Sequence, residues 1–458
     1  MRRSRWIGIA GAAAVALPLL AADWQPRRRM EIATEPERTP SYWMCTIPPL
    51  PKFPRLDREL QVDVAVVGGG FTGLAAAYYL KKLEPSLRVV LLEAQRFGSG
   101  ASSRNSGGVR ARFRGHDPSP SAERGYQLLQ TFAATEGIDF DLAEGIPCIT
   151  LYSTAQRCPN PDLSGEELAR EVGSPFYAAA EVSTANWLHP GKLIAGLVEA
   201  NQRRGTEMYE WTPVVQIDRG RSITLHTPGG RVTAQHLVMA TNGYTQQLGF
   251  ARSVLLTMHH RVIVTRPLTP EEWERSGLER WPFRLEAGGY YTHTVRSTPD
   301  RRFFYRHVLG HRPFEGTSWE IGEREREIGR RELLQRYPWL ADVPIEYEWH
   351  GVTARTADWW PVSGQVDDNI HIAAGYNGSG VMPTHFFGFL LAQSILGNPD
   401  PDLALLRPPR NHPRLPAGWL RHLAFQGWIE YRRWRGRRTP AAQTDATGAT
   451  SERLDVTV

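Results

Sequence analysis

Hydrophobic and polar positions follow two rhythms along this chain. Over residues 62–67 every position except Asp63 is apolar and most are β-branched, which predicts a strand buried on both faces. Gly68-Gly69-Gly70-Phe71-Thr72-Gly73 follows without a spacer, and residues 74–83 continue in helical composition. Residues 88–93 then predict a second buried strand, which completes a strand–glycine turn–helix–strand unit. Further on, residues 190–203 read as a helix, and residues 232–240 as a strand that ends at Thr241-Asn242-Gly243. The runs at 261–264 and 302–305 are β-rich, and residues 320–337 form a charged helical stretch closed by Pro338. A strand at 369–373 meets a second glycine turn at 375–380, followed by a helix over 384–396. No internal repeat of solenoid length interrupts this order.

The ends of the chain read differently. Residues 30–61 are rich in proline and charge and predict an extended arm. Beyond Pro399 the chain turns proline- and arginine-rich. Residues 419–438 interleave Trp, Leu, Phe and Ile with arginine, a basic amphipathic helix expected to pack its apolar side on its own protein rather than lie on a membrane. Residues 439–458 have the composition of a disordered tail. At the start, Arg2, Arg3 and Arg5 precede an apolar run over 6–22, broken by Pro18 and ending in Ala21-Ala22. That is a signal-peptide pattern, and the arginine pair resembles a twin-arginine signal. Export or a single membrane anchor is the expectation, with a cytoplasmic protein beginning at Met30 as the alternative.

Composition narrows the function classes. The 458 residues, 41% hydrophobic and 22% charged, suit a globular protein of two or three domains. The net charge is +6, yet only Lys52, Lys81, Lys82 and Lys192 are lysines. Arginine spread along the whole chain is a compositional bias rather than a basic stripe, so no nucleic-acid partner is expected. Cys45, Cys148 and Cys158 are too few and too scattered for a disulfide framework or a metal site, and leave open only a bridge between the last two.

Gly68-x-Gly70-x-x-Gly73, placed between strand and helix with Glu93 ending the next strand, is a dinucleotide-binding pattern. The glycines permit a tight turn and close backbone approach to a pyrophosphate, which rests on the helix amino terminus. Glu93 suits a ribose diol and repels a 2′-phosphate. The small-residue run over 97–108 has no hydrophobic period and suits backbone pressed against a second stretch of cofactor. NAD needs no such loop, whereas FAD has a ribityl chain and a flavin ring to hold.

Several stretches together resemble the D-amino-acid oxidase superfamily, which includes glycine and sarcosine oxidases. They are Val67-Gly68-Gly69-Gly70-Phe71-Thr72-Gly73-Leu74, the run from Gly100 through Ser103-Arg104-Asn105-Ser106-Gly107-Gly108, and Ala240-Thr241-Asn242-Gly243-Tyr244. Later come Trp349-His350-Gly351, Arg355-Thr356-Ala357-Asp358-Trp359-Trp360-Pro361, Gly375-Tyr376-Asn377-Gly378-Ser379-Gly380-Val381 and Thr384-His385. The resemblance implies an α/β fold: a Rossmann-like FAD-binding domain built from discontinuous segments (62–145, 190–260 and 346–400) and a β-rich, α+β substrate domain (146–189 and 261–345). Residues 1–29 stand outside it as the signal-like segment, and 401–438 as a basic extension. It implies cofactor contacts from Gly68, Gly70, Phe71, Thr72, Gly73, Glu93 and Ala94, from Ser103 to Gly108, from Val214, from Thr241, Asn242 and Gly243, and from Gly375, Asn377, Gly378, Ser379, Gly380 and Val381. The second glycine turn would aim a helix amino terminus at the flavin pyrimidine edge, where negative charge develops.

Two departures from the family pattern matter. No cysteine follows Cys158 and no histidine lies between Glu93 and Gly115, so the known covalent flavin links have no residue to use and noncovalent FAD is expected. No lysine follows Lys192, which favours a dehydrogenase passing electrons to a quinone or carrier over an oxidase using oxygen. The expected reaction is oxidation of a C–N bond in an amine, amino acid or polyamine derivative. Tyr291, His350 and Arg355 are the catalytic candidates, because an aromatic face brackets a cation and an arginine fork grips a carboxylate. Tyr290, Arg296, Tyr305, Arg306, His307, Trp359 and Trp360 are further pocket candidates, although each aromatic also suits a core and His350 and His385 also suit structural roles. The competing readings are a NAD-linked dehydrogenase and a noncatalytic FAD-binding subunit or sensor.

Overall fold

The computed structural model describes residues 39–110, 113, 119–287, 292–311, 322–416 and 418–437. A one-turn helix α1 (Tyr42–Cys45) leads by an extended stretch to β1 (Glu59–Val67), and the first glycine turn passes the chain to α2 (Phe71–Leu83) and β2 (Val89–Leu92). A short β3 (Gly108–Val109) precedes α3 (Pro120–Glu136), which begins where Ser119 accepts a hydrogen bond from Ala122 N. Then come β4 (Ala143–Tyr152), β5 (Leu163–Ser164), α4 (Gly165–Val172), β6 (Ala179–Trp187) and α5 (Pro190–Arg203), the last capped by His189. Strands β7 (Glu207–Tyr209), β8 (Gln216–Asp218), β9 (Ile223–His226) and β10 (Arg231–Met239) follow. After them run β11 (Leu256–Thr265), α6 (Pro270–Ser276), β12 (Phe283–Glu286), β13 (Thr294–Ser297), β14 (Phe303–Gly310) and α7 (Glu323–Arg336). The chain closes with β15 (Ile345–Arg355), β16 (Val362–Asp367), β17 (Ile370–Ala374), α8 (Val381–Leu396) and α9 (Gly418–Arg437).

Two sheets result. The first has the order β16-β17-β10-β1-β2-β7, with β9 paired to β10 and β8 paired to β9. Its inner pairs β17–β10, β10–β1, β1–β2 and β2–β7 are parallel, and Val64 to Val67 at its centre are buried. A parallel sheet is stable when both faces are covered, which is why these strands read as continuous apolar runs. One face packs on α2, α3, α5 and α8 through Leu74, Leu129, Leu197 and Phe386, and the other on Leu225, Leu255 and neighbours. The second sheet has the order β15-β11-β14-β13-β12-β4-β6-β3, antiparallel except at β12–β4.

Sheet membership departs from the expected segment boundaries at four places. β3, the first residues of β4, the first residues of β11 and most of β15 lie within segments assigned to the cofactor domain, yet they belong to the second sheet. Hydrogen-bond register crosses those boundaries because β11 and β15 pair along their whole length. The expected arm carries no helix or strand over 46–58, but Tyr42 and Trp43 of α1 are buried against Phe304 and Trp349, and residues from Glu59 onward already belong to β1. The helix at α9 packs on β14 with Ile429 fully buried beside Leu256, Met258 and Val308, as the packing reading expected, while Trp419 (65%) and Leu423 (62%) stay exposed. Among the described residues no helix is long and apolar enough to cross a membrane. Cys148 and Cys158 are free thiols, both buried. The signal-like segment and the tail at 439–458 fall outside the described residues.

The crossing of α2 and α8 depends on one missing side chain. A Cβ at Gly388 would sit 2.8 Å from Ala75 Cβ and 2.9 Å from Ala76 N. Gly388→Leu therefore forces the helices apart, and is expected to lower stability by about 2 kcal/mol or more in denaturant unfolding. Burial also holds several histidines neutral: His385 and His293 are pushed down to about 3, and His189, His311 and His371 to about 4. In the unfolded chain these groups take up protons near pH ~6.5, so between that pH and their folded values the unfolded state binds more protons. Stability is thus expected to fall as pH drops from about 6.5 to about 5, and to be level with respect to these groups above that window. Denaturant midpoints measured across the window check this, with a shallower slope expected for His385→Gln, which keeps an acceptor for the Tyr79 hydroxyl now 2.7 Å from His385 Nε2.

Candidate functional site

Four turns leave the carboxyl ends of the parallel strands: Gly68 after β1, Glu93 after β2, Thr241 after β10 and Gly375 after β17. Ligands of such sheets bind at this edge. Residues from all four turn regions line one cavity of about 700 Å³. Its size falls in the range of cofactor pockets. Its lining includes Thr212, Val214 and Gly229 as well as Gly380, Thr384 and Val352, Thr353 and Ala354 of β15.

The glycine turn is shaped by close approach. A Cβ on Gly73 would collide with the carbonyl oxygen of Gly68, so only glycine lets α2 start this near β1. Glu93 is fixed in place: Oε2 accepts from Gly69 N at 2.7 Å, and Oε1 from Gln95 N at 2.9 Å. Ser102 Oγ accepts from Phe71 N at 2.9 Å. Helices α2 and α8 both begin at a glycine N-cap, Gly70 and Gly380, and neither N-cap supplies a capping side chain. Both N-caps line the cavity. Two helix amino termini thus bring partial positive charge to one volume, a donor set that suits a diphosphate and a ring edge that gains negative charge. Glu93, the two amino termini and the cavity volume fit FAD, and no cysteine lines the cavity.

Of the residues implied by the resemblance, Gly68, Gly70, Phe71, Thr72, Glu93, Ala94, Asn105, Ser106, Gly108, Val214, Thr241, Asn242, Gly378, Gly380 and Val381 line it. The remainder stand behind the wall. Gly73 and Gly107 permit close backbone contacts, and Gly243 packs on Val352. Ser103 Oγ donates to Gly98 O at 2.6 Å. Arg104 donates from Nε to Ser99 O, from Nη1 to His350 O and from Nη2 to Thr39 O, tying the turn to β15 and to the arm. Gly375 N donates to Asn242 Oδ1, Asn377 Oδ1 accepts from Thr356 N, and Ser379 N donates to Tyr376 O, which together hold the second glycine turn.

The catalytic candidates are dispersed. Tyr290 and Tyr291 lie outside the described residues. Cross-strand partners share a sheet face, and by register Met258, His260, Arg306, Thr294, Thr353 and Arg355 occupy one face while Tyr305, His307 and His350 occupy the other. His350 stacks on His259, with Nε2 2.9 Å from His259 Nδ1, and does not line the cavity. Arg355 is buried with its guanidinium 5.5 Å from the Trp359 ring, and does not line it either. Alternation turns His350 away from the face that carries Thr353, and a sequence without register cannot supply that direction. Arg296 is sandwiched between Trp43 and Trp187 and donates to Ser106 O, a brace beneath the turn. Trp360 lies in the core beside Phe113.

The sequence reading missed Ser102, Trp211, Tyr244, Thr353 and Tyr376, all of which line the cavity. Ser102, Tyr244 and Tyr376 adjoin residues already singled out, so their neighbourhood was a usable signal. Tyr376 hydroxyl lies 2.8 Å from Thr72 Oγ1 and joins the two glycine turns. Thr353 carried no such signal. It is joined to His260 Nε2 at 2.8 Å, and His260 Nδ1 lies 3.1 Å from Arg306 Nη1. Burial, then Arg306 and Arg355, push the His260 imidazole well below its ordinary range.

Comparison with known proteins agrees with this geometry. The chain is 29% identical over 406 residues to the "Probable oxidoreductase OrdL" of Rhizobium meliloti (strain 1021), covering 80% of this chain and 90% of that protein. It is 28% identical over 399 residues to the gamma-glutamylputrescine oxidoreductase of Escherichia coli (strain K12), with the same coverage of each. Among solved structures, glycine oxidase from Geobacillus kaustophilus superposes with a TM-score of 0.62 at 22% identity, over 76% of this chain and 98% of that one, which speaks to the fold. L-proline dehydrogenase from P. horikoshii superposes with a TM-score of 0.61 at 19% identity, over 77% and 98%. The profile of the family described as FAD dependent oxidoreductase (DAO) matches residues 63–394, and the chain belongs to that family.

Proposed function

We propose that the protein binds FAD without a covalent link and oxidises a C–N bond of an amine, amino acid or polyamine derivative. The observation that carries this reading is the convergence of four post-strand turns and two glycine-capped helix amino termini on one cavity beside Glu93. The named activities of relatives, gamma-glutamylputrescine oxidoreductase and glycine oxidase, support an amine or amino-acid substrate.

When bound, FAD supplies the hydride acceptor, and the imine released from the substrate hydrolyses in water. The chain's own residues bind and orient. Glu93 would accept from the adenosine ribose, the amino terminus of α2 would hold the diphosphate, and the amino terminus of α8 would favour negative charge on the ring. The low-dielectric wall there favours the neutral form of an amine, which is the form that donates hydride. The lack of any lysine after Lys192 supports a quinone or protein carrier over oxygen as electron acceptor.

The visible spectrum of the purified protein, taken before and after anaerobic addition of amines, amino acids and polyamine derivatives, tests this. Flavin bands that bleach with one class are expected, as is release of the flavin into solution on denaturation. A colourless protein that rejects added FAD overturns the proposal; bands that no amine bleaches favour the noncatalytic reading.

A further inference from the structure

Helix α9 is apolar on two faces, and the described protein covers one of them. Arg421, Phe425 and Ile429, four residues apart, lie on the packed side. Arg421 Nη1 donates to Arg252 O and to Leu255 O, each at 3.0 Å, and Ile429 is fully buried beside Leu256, Met258 and Val308. Gln426 Nε2 donates to His311 O at 2.6 Å and holds the same side. Leu420, Leu423, Ala424, Gly427 and Tyr431 recur at three- and four-residue spacing on the opposite side, and all are exposed, as is Trp419. Among the described residues seven large hydrophobic side chains are exposed, and four of them, Trp419, Leu420, Leu423 and Tyr431, stand on this helix. That concentration is a patch, unlike the single scattered residues of an ordinary surface.

The charge of the helix indicates what covers the patch. Glu430 is the one acidic residue of α9, whereas its last turns hold Arg432, Arg433, Arg435 and Arg437, with Arg438 next in sequence. The helix lies beyond residues 63–394, which match the family, so the shared fold does not call for this composition. A strip about 16 Å long on a helix about 10 Å across offers far less than the ~800 Å² that each partner of a stable dimer buries. A second copy also brings its own net charge of +6. Leucines between a tryptophan and a tyrosine suit the boundary of a bilayer, where aromatic rings sit at headgroup level. Arginines suit anionic headgroups. We propose that α9 lies in the plane of an anionic lipid surface, burying Trp419, Leu420, Leu423 and Tyr431, with its arginine-rich end at the headgroups. Such a helix anchors without spanning, and among the described residues no helix is long and apolar enough to span.

The test uses the full chain and vesicles of phosphatidylglycerol or of phosphatidylcholine. A polarity-sensitive dye on Leu423→Cys, with the exposed Cys45→Ser in the same chain, reads α9 itself even where residues 1–22 hold the protein on the vesicle. Its emission is expected to shift to the blue on the anionic vesicles, at a lipid concentration about tenfold or more below that needed with phosphatidylcholine. Rising salt is expected to weaken the anionic binding. Arg432→Gln with Arg433→Gln and Arg435→Gln is expected to weaken it by about fivefold per arginine, while binding to phosphatidylcholine stays unchanged. In flotation of the undyed chain, Leu420→Gln with Leu423→Gln is expected to weaken binding about tenfold or more. Both leucines are exposed, so the denaturant midpoint of this variant should match that of the starting protein. Dye emission that does not move on anionic vesicles, with flotation unchanged by the leucine substitutions, overturns the inference and assigns any binding to another part of the chain. A dimer in light scattering that the leucine substitutions make monomeric, with no dye shift on vesicles, gives the face to a second copy and likewise overturns it.

Discussion

Close backbone approach is the constraint on which the rest of this structure depends. Helices α2 and α8 cross where Gly388 meets Ala75 and Ala76, and α2 leaves β1 where Gly73 meets the Gly68 carbonyl. These contacts bring Gly70 and Gly380, the N-caps of both helices, to the edge of one cavity. A helix amino terminus carries unpaired N–H groups and partial positive charge, and two of them directed at one volume are poorly placed unless an anionic or electron-rich group is to sit between them. The cavity is in this sense a consequence of packing. The glycines give up side-chain contact in the core so that backbone donors can be concentrated at the strand ends.

The second constraint is the joint between the two sheets. The turn that lines the cavity with Asn105 and Ser106 is also the turn that holds the second sheet to the first. Arg104 reaches Ser99 O, His350 O and Thr39 O, while Trp349 Nε1 donates to Arg104 O and Trp43 Nε1 to Asn105 O. Arg296 lies between Trp43 and Trp187 and reaches Ser106 O from below. Buried arginines are costly unless their donors are paired, and here carbonyl oxygens of the turn receive them. The small-residue run is therefore both a wall and a hinge post, which explains why only some of its residues face the cavity. The arm docks into the same joint, so α1 is part of the site's foundation although it is distant in sequence.

The part of the cavity wall that β15 supplies is governed by register. His260, Arg306, Thr353 and Arg355 share a face because β11, β14 and β15 pair as they do, whereas His350 lies one residue from Gly351 and faces the other way. A strand places consecutive residues on opposite faces, so neighbours in a motif part company in space. Trp349-His350-Gly351 reads as a unit in sequence and is divided by the sheet.

The amino-acid sequence by itself determined the cofactor half of this protein. Continuous apolar runs around Val66 and Leu91, glycines at 68, 70 and 73, and Glu93 ending the second strand encode local geometry, and local geometry is carried by a few adjacent residues. The same holds for the second glycine turn, whose fixing contacts from Asn242 and Thr356 join stretches already legible as motifs. What only the tertiary structure decided was the sharing of strands between sheets, the burial of Arg104 and Arg296 beneath the turn, and the choice of Thr353 rather than His350 at the cavity wall. Each of these depends on which strand lies beside which, and in what register. Residues tens to hundreds of positions apart set that pairing, and no local pattern records it.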